Sequence, residues 1–286
     1  MQRKTTTIRR RKNDALITAA SVRIFRKKVY EYYEQSGRSL PWRKNPTPYR
    51  VVVSEVMLQQ TQVERVIEKF PEFLNAIPNF NSLARAPLLK LLRAWSGMGY
   101  NRRALALKSL AQQVVHDHHG KLPCDPEYLR TLPGIGKYTA GAIAAFAFNK
   151  PVVFMDTNIR RVFIHEFFSN RDAIHDEEIV PIVEQTLDTQ DPRRWYNALM
   201  DYGTMLKREH GNPNRKSVHY IRQRPFENSN RQVRGKILKV LVAESPLRAA
   251  QIVSKTGMAP ERVQANLLIL EAEGFIRKRG MSYSIG

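Results

Sequence analysis

The sequence predicts a mainly α-helical protein that ends in a small domain of mixed helix and strand. Apolar residues recur at helical spacing along most of its 286 residues. A tight turn at 132–139, with glycines at 134 and 136, separates two such helical patterns. Beyond residue 230, three more helical patterns precede two short alternating stretches, which predict strands.

The composition is strongly basic. Lys and Arg number 47 against 26 Asp and Glu, which gives a net charge of +21 and a pI near 10.3. Such an excess of positive charge destabilises a compact fold by self-repulsion, so we expect a polyanionic partner. Nucleic acid is the leading candidate, and an anionic membrane surface is the alternative. No apolar run has the roughly 18 residues of a membrane span, and no signal peptide is recognisable. We expect a cytoplasmic, nucleoid-associated protein, and the single cysteine, Cys124, excludes an internal disulfide and a four-cysteine metal site.

Four segments are predicted along the chain: a basic disordered arm at 1–18, a helical domain at 19–210, a basic linker at 211–230 and a C-terminal domain at 231–286. Residues 1–13 carry six Lys or Arg and no acid. This arm either holds DNA through counterion release or is a solvated tail.

A helix from Ala19 ends before Gly37, and the next begins near Tyr49, because the prolines at 46 and 48 prevent an earlier start. Glu55 lies in this second helix among valines, a methionine and a leucine. Burial of an ionised carboxylate is costly, so its pKa should be raised, which suits a general acid. In the alternative interpretation, Glu55 reaches solvent at the end of a core segment.

Two polar stretches beyond Glu55 suit contact with nucleic acid. Gln59, Gln60 and Thr61 offer neutral amide and hydroxyl groups to base edges. Further along, Tyr100 follows two glycines at the tip of a loop, where an aromatic ring could stack into a duplex. Arg102 and Arg103 would then bind the neighbouring phosphates. In the alternative interpretation, the glycines only cap a helix.

The turn at 132–139 predicts a helix-hairpin-helix. Its glycines can take positive φ and let a phosphate approach the backbone, while the amides that open the second helix point outward. An ordinary Pro-Gly helix connection is the alternative. The residues predicted to form this anion site are Leu132, Gly134, Ile135, Gly136 and Lys137.

Asp156 ends an apolar run immediately before a helical pattern, which is typical of an N-cap. A carboxylate at a helix N-terminus stays ionised and can face a developing cation. Glu55 as a protonated acid and Asp156 as an anion would form a pair suited to general-acid chemistry. The linear sequence leaves open whether the two side chains meet.

The C-terminal domain resembles a winged helix. A helix from Asn230 and helices at 249–255 and 260–273 are followed by predicted strands at 274–278 and 282–285. The third helix would enter a nucleic-acid groove, yet it carries Glu261, Glu271 and Glu273 against Arg262 alone. A role in contacting a protein partner or in stabilising the chain is the alternative.

Several motifs occur in the order and spacing of the helix-hairpin-helix DNA glycosylases, and most resemble those of the MutY-type adenine glycosylases. They are the motifs at 41–43, 54–63, 97–100, 132–136 and 156–162. The resemblance covers about residues 22–210, and the run at 54–63 is its most specific part. It implies an all-helical, two-lobed domain with the active site between the lobes, and excision of a flipped base.

The resemblance also implies roles for individual residues. Glu55 would protonate the adenine leaving group, Asp156 would stabilise the oxocarbenium-like sugar and Asn158 would hold the carboxylates. Tyr138 lies where related lyases carry their Schiff-base lysine; a phenol cannot form an imine, which implies a monofunctional enzyme. Lys137, one position earlier, would point about 100 degrees away around the helix. The residues that match the family's contacts with the opened duplex are Leu58, Gln60 and Tyr100.

The sequence departs from this family in two places. Most members carry four cysteines for an iron-sulfur cluster after the segment equivalent to 200–203, whereas residues 207–236 contain none. That segment has nine Lys or Arg and two acids, so phosphate binding and packing would replace the cluster, unless the segment is a disordered linker. Nothing resembles the additional C-terminal domain with which the family checks for 8-oxoguanine. We therefore expect no metal or iron-sulfur cofactor, with a monovalent ion at the hairpin left open.

The function predicted from the sequence is monofunctional removal of adenine opposite 8-oxoguanine or guanine. The protein would act as a monomer on double-stranded DNA that contains a mismatch or a damaged base, with a protein partner at its C-terminal domain left open. A mismatch thymine or uracil glycosylase is one alternative. A non-catalytic protein that binds DNA lesions is the other.

Overall fold

The computed structural model describes residues 17–222 and 226–286, so the predicted arm lies outside the described residues except for 17 and 18. The chain divides into two compact units. The first joins the segment up to Arg38 to Val153–Tyr220, and the second joins Ser39–Val152 to Ile221–Gly286. The predicted domain boundaries at 210 and 230 remain predictions.

The first unit consists of helices. They are α1 (Ala19–Ser36), α9 (Thr157–Phe167), α10 (Asp176–Thr186), α11 (Pro192–Glu209) and a short 3-10 helix at Pro213–Lys216. Phe25 of α1 lies in its aromatic core, edge-on to Phe163 at 5.4 Å and to Trp195 at 5.7 Å between ring centroids. Such edge-to-face pairs stabilise a core beyond the area they bury.

A close helix contact fixes the start of α9. The backbone of Asn158 approaches Gly203 of α11 so closely that a Cβ at residue 203 would lie 2.6 Å from the Asn158 carbonyl oxygen. Only glycine permits this approach. The first turn of α9 is therefore held directly against α11.

The second unit contains the remaining elements. Its helical part comprises α2 (Pro48–Leu58), α3 (Val63–Ala76), α4 (Phe80–Arg85), α5 (Leu88–Ala94), α6 (Arg102–His118), α7 (Pro126–Thr131) and α8 (Lys137–Phe148). Its C-terminal part comprises α12 (Asn230–Ala243), β1 (Leu247–Arg248), α13 (Ala249–Thr256), α14 (Pro260–Ala272), β2 (Ile276–Arg279) and β3 (Ser282–Ile285). The prediction of a mainly α-helical protein is confirmed.

The C-terminal strands form an antiparallel sheet in the order β1-β3-β2. Tyr283 of β3 pairs with Leu247 on one side and Lys278 on the other. The three helices and two strands predicted for this segment are present. The sequence did not predict β1, because a strand of two residues is too short to show an alternating pattern. The interpretation of this domain as a winged helix remains a prediction.

Candidate active site and nucleic-acid interface

Glu55 lies in the core-facing part of α2. The helix begins where the prolines predicted, with Pro48 in its first turn and the Thr47 hydroxyl accepting a hydrogen bond from the Arg50 amide at 3.4 Å. Glu55 is only 6% exposed, so the interpretation in which it reaches solvent is wrong. The Tyr138 hydroxyl of α8 donates a hydrogen bond to its Oε2 atom at 3.3 Å. The structure thus joins two predicted catalytic residues in one apolar setting.

The hairpin between α7 and α8 is only partly as predicted. Gly134 has φ +78°, and a Cβ there would lie 2.9 Å from the Ala106 Cβ, so both backbone and packing require glycine. Gly136 instead has φ −87° in an extended conformation at the N-cap of α8. The expectation of positive φ at Gly136 is therefore wrong. A Cβ at residue 136 would meet nothing within 4 Å, which leaves open space beside the first amides of α8.

Two of the side chains predicted for the anion site pack in the hydrophobic core instead. Leu132 and Ile135 are 2% and 6% exposed and belong to the hydrophobic core of the second unit. Their side chains cannot contact DNA while they are buried, so only their backbone could contribute. Lys137 is exposed, while Tyr138 is half-buried and contacts Glu55. This agrees with the prediction that the two side chains point in different directions around α8.

Substitution at the two hairpin glycines should separate stability from binding. Gly134→Ala should lower the free energy of unfolding by about 1–3 kcal/mol, because the new side chain meets both a left-handed backbone and Ala106. Gly136→Ala should fold like the wild type but weaken duplex binding by about tenfold, because its methyl group occupies the space open to a phosphate. Urea unfolding and fluorescence anisotropy on each variant measure the two effects. Equal loss of stability in both variants would contradict this assignment.

The segment that follows α2 carries the predicted base-contacting residues. Gln60 is exposed and has φ +52°, a left-handed conformation that is uncommon for a residue with a side chain. Gln59 Nε2 donates to Thr139 Oγ1 of α8 at 3.4 Å, and the Thr61 hydroxyl donates to the Gln59 carbonyl at 3.3 Å. Leu58 is half-buried against the core. Backbone held in a sparsely populated conformation is typical of functional sites, and here it places Gln60 at an exposed tip.

Arg103 has a structural role that the sequence did not predict. Its Nη1 atom lies 2.9 Å from the Val56 carbonyl, 2.8 Å from that of Met57 and 2.5 Å from that of Gln59. Its Nη2 atom lies within 3.1 Å of the Thr61 hydroxyl and of the carbonyls of residues 98 and 99. Burial lowers the pKa of the guanidinium to about 10. The prediction that Arg103 binds a phosphate is wrong, because its guanidinium joins the end of α2 to the loop before α6.

Replacement of this guanidinium should unfold the protein more easily. Arg103→Lys should lower the free energy of unfolding by about 3 kcal/mol, because one ammonium cannot span carbonyls from two segments and leaves buried acceptors without donors. Arg93→Lys, on the exposed side of α5, is the matched control and should change stability by less than about 0.5 kcal/mol. Urea unfolding measures both. Similar stability of the two variants would rule out the structural role.

In the first unit, Asp156 is the N-cap of α9, as predicted. Its Oδ1 atom accepts a hydrogen bond from the Ile159 amide at 2.6 Å, and Asn158 Nδ2 donates to its Oδ2 atom at 3.0 Å. Asn158 Oδ1 in turn accepts from Arg161 Nη1 at 2.8 Å. The same Nη1 atom donates to the Gly203 carbonyl at 2.7 Å. The predicted contact between Asn158 and one carboxylate is present, and α11 supports it through Arg161.

Burial and hydrogen bonding have opposite effects on the pKa of Asp156. Burial, the largest cause, raises the pKa of its carboxyl, while the bonds from Ile159 and Asn158 and the charge of Arg161 lower it; the net direction is upward. The N-cap alone predicts a carboxylate that stays ionised, whereas burial of the carboxyl opposes its ionisation. The sequence pattern predicted no role for Arg161, which is 6% exposed and lies three residues after Asn158 on the same helix. The predicted pairing of Asp156 with Glu55 remains a prediction, because the two residues belong to different units.

The segment after α11, where the family would hold its cluster, is packed onto the first unit. Asn214 Nδ2 donates to the Thr157 carbonyl at 2.8 Å, directly beside the start of α9. Ser217 forms a parallel bridge with Ile174. The interpretation of a disordered linker is therefore wrong up to residue 220, while residues 223–225 lie outside the described part.

Two further observations concern cofactors and membranes. Within the described ranges, His175, Glu177 and His219 are exposed, and their ligand atoms lie within 4.8 Å of one another, close enough to hold a metal ion together. The expectation that the reaction needs no metal remains a prediction. Among the helices of residues 17–222 and 226–286, none is long and apolar enough to cross a membrane.

Comparison with known proteins places these residues in a family. Residues 53–185, which include Glu55, the hairpin and Asp156, match the HhH-GPD superfamily base excision DNA repair protein. The chain is 33% identical over 245 residues to the adenine DNA glycosylase of Mycolicibacterium smegmatis (strain ATCC 700084 / mc(2)155), covering 78% of this chain and 83% of that protein. The chain therefore belongs to the HhH-GPD superfamily of base excision DNA repair proteins.

Within that superfamily, the resemblance to MutY-type adenine DNA glycosylases is confirmed. The adenine DNA glycosylase of Mycobacterium tuberculosis (strain CDC 1551 / Oshkosh) is 42% identical over 143 residues, 50% of this chain and 47% of that protein. The chain thus spans about half the length of the M. tuberculosis protein. The solved structure of a thermostable thymine-DNA glycosylase has a TM-score of 0.59 at 25% identity and covers 65% of this chain and 87% of that one.

Proposed function

We propose that the protein is a monofunctional DNA glycosylase that removes adenine mispaired with 8-oxoguanine or guanine. The observation that carries this proposal is the carboxyl of Glu55, buried among apolar side chains and in contact with the Tyr138 hydroxyl. A carboxylic acid in such a setting can hold a proton for a leaving group. The adenine substrate is supported by the 33% identity of the chain, over 245 residues, to an adenine DNA glycosylase.

In the proposed reaction, Glu55 donates its proton to a ring nitrogen of the flipped adenine. The N-glycosidic bond breaks, and the base takes the bonding electrons while positive charge develops on the sugar. Asp156, oriented by Asn158, stabilises that charge. Water adds to the sugar carbon, and the proton it loses restores the acid. The products are free adenine and an abasic site.

Tyr138 supports a hydrolytic outcome. A lyase of this superfamily needs an amine that attacks the sugar and forms an imine. At this position the chain has a phenol, which touches Glu55 instead. Lys137 lies at the exposed start of α8. We therefore propose that the strand stays intact until alkali cleaves the abasic site.

The proposed enzyme would bind double-stranded DNA as a monomer and without an iron-sulfur cluster. The excess of Lys and Arg suits a polyanion, and Gly136 leaves space for a phosphate at the N-terminus of α8. The residues after α11 do not fit a cluster, because they offer asparagine and serine side chains that pack on the first unit rather than thiolates. A monovalent ion at the hairpin, a nucleoid location and a protein partner remain part of the hypothesis.

A mismatch thymine or uracil glycosylase is the second candidate, favoured by the structural similarity to a thymine-DNA glycosylase. Single-turnover excision distinguishes the two. The substrates are duplexes with adenine opposite 8-oxoguanine, adenine opposite guanine, thymine opposite guanine and uracil opposite guanine. We expect adenine release, with strand breaks only after alkali. Release of thymine or uracil alone would reject the adenine assignment, and tight binding without any release would favour the non-catalytic interpretation.

A further inference from the structure

The loop that carries Tyr100 is contacted by the C-terminal part of its own unit. Arg231, in the first turn of α12, donates a hydrogen bond from Nη1 to the Tyr100 hydroxyl. Its guanidinium carbon lies 4.9 Å from the centroid of the Tyr100 ring, within the range of a cation-π interaction. The ring is thus held both at its hydroxyl and over its face.

Tyr100 needs such support because of its backbone. It has φ +46°, and it directly follows Gly99 with φ +65°. The Tyr100 carbonyl accepts a hydrogen bond from the Arg103 amide at 2.9 Å, but that bond fixes the backbone of the loop tip and not the Tyr100 side chain. Arg103 also lies over the ring, at 5.4 Å from its centroid, but its guanidinium is bound to backbone carbonyls. The bond from Arg231 therefore contributes directly to the position of the hydroxyl.

An ion-pair network joins the start of α6, just after the Tyr100 loop, to α12 and to the end of α14. Arg234 of α12 bonds both carboxylate oxygens of Glu273, which caps α14, and Arg102 at the start of α6 bonds one of them. The Glu273 side chain is 19% exposed. These two arginines lower the pKa of its carboxyl to about 2. A carboxylate shared by two guanidiniums is more rigid than an isolated surface pair.

Apolar packing completes the attachment. Leu92 of α5 is 5% exposed and belongs to the same buried cluster as Val233 and Ile237 of α12. Leu88 and Leu105 of the helical part pack against that cluster from its edge. The base of α12 is therefore fixed to the helices on both sides of the Tyr100 loop.

We propose that the C-terminal segment 226–286 sets the selectivity of the enzyme for the base opposite the target, with Arg231 as the positioning residue for Tyr100. This inference rests on the proposed function, in which Tyr100 inserts beside that base. An aromatic ring already held in place loses little conformational freedom when it meets DNA, so more of its contact energy appears in binding. That gain is common to both duplexes, so the preference must have another source: a ring fixed in one position fits one opposite base better than the other, whereas a mobile ring can adapt to either.

The test compares two duplexes and several variants of the full chain. We would measure single-turnover rates and binding for adenine opposite 8-oxoguanine and adenine opposite guanine, together with hydrogen exchange of the amides at 97–103 in the free protein. Arg231→Ala removes the guanidinium, Tyr100→Phe removes only its acceptor, and Arg231→Lys keeps the charge. The matched control is Lys255→Ala, which breaks an exposed pair with Glu244 elsewhere in the same segment.

Arg231→Ala should lower the preference for 8-oxoguanine over guanine by about tenfold and speed exchange at 97–103, because both the bond and the cation-π contact are lost. Tyr100→Phe should give a smaller loss, Arg231→Lys should restore part of the preference, and the control should match the wild type. A purely structural role would lower the melting temperature without changing the preference.

Three outcomes would overturn the inference. They are an unchanged preference in Arg231→Ala, a preference that rises, which would mean that Arg231 restrains Tyr100 from inserting, and unchanged exchange at 97–103. If the wild type excises adenine from neither duplex, the proposed function fails separately. The inference is then decided by exchange and by the ratio of the two binding affinities, and an Arg231→Ala ratio equal to that of the wild type rejects it.

Discussion

Glu55→Gln should reduce the single-turnover rate of adenine release by about 10³-fold while leaving duplex binding nearly unchanged. A positioned general acid contributes about 10²–10⁴-fold, and an amide cannot supply the proton. The two side chains have almost the same shape, so the contact with Tyr138 can persist with the amide oxygen as acceptor. The rate is measured with enzyme in excess on adenine opposite 8-oxoguanine, and binding by anisotropy on the same duplex.

Glu68→Gln is the matched control, because it makes the same chemical change at an exposed position of α3 in the same unit. Its rate should equal that of the wild type. The Glu55→Gln protein should also be at least as stable as the wild type, since it buries no ionisable group. A rate within about threefold of the wild type would remove Glu55 from the chemistry and with it the proposed acid.

The environment of Glu55 could be predicted because its cause is local. A carboxylate surrounded within one helix by valines, a methionine and a leucine lies in a core segment, although the pattern also allowed its side chain to reach solvent; in the structure Glu55 is 6% exposed. The N-cap at Asp156 was predictable for the same reason. The hairpin could be predicted only in part. Gly134 has the expected left-handed conformation and packs against Ala106, whereas Gly136 is extended and serves as the N-cap of α8.

The roles of the arginines could not be predicted, because their partners are distant in sequence. Arg103 binds carbonyls more than 40 residues earlier in the chain, and Arg161 binds a carbonyl of residue 203. Counting charges along α14 made Glu273 an argument against groove binding, whereas the structure pairs it with Arg234 and Arg102. A sequence pattern shows which face of a helix is apolar, but not which carbonyls or carboxylates a long cationic side chain will reach.

Asp156→Asn should lower the rate of adenine release by about 10²–10³-fold, the range expected when one preorganised electrostatic contact with developing charge is lost. Asparagine is also a good N-cap, so the bond to the Ile159 amide can persist. The control is Asp191→Asn at the N-cap of α11, where an Asp accepts from the Arg194 amide in the same unit. Loss of activity in both variants would indicate a general effect of N-cap substitution instead.

The same substitution should also have a pH-dependent effect on stability. Burial raises the pKa of Asp156 above its value in the unfolded chain, so the folded protein disfavours its ionised form. The contribution of Asp156 to stability is then complete below its unfolded pKa of about 3.9 and is lost as the pH rises through its folded pKa. The asparagine variant has no such loss. Its stability relative to the wild type should therefore improve in urea unfolding as the pH rises above about 3.9, the pKa of Asp in the unfolded chain. A difference that stays constant or moves the other way would mean that the bonds from Ile159 and Asn158 outweigh the burial of the carboxyl.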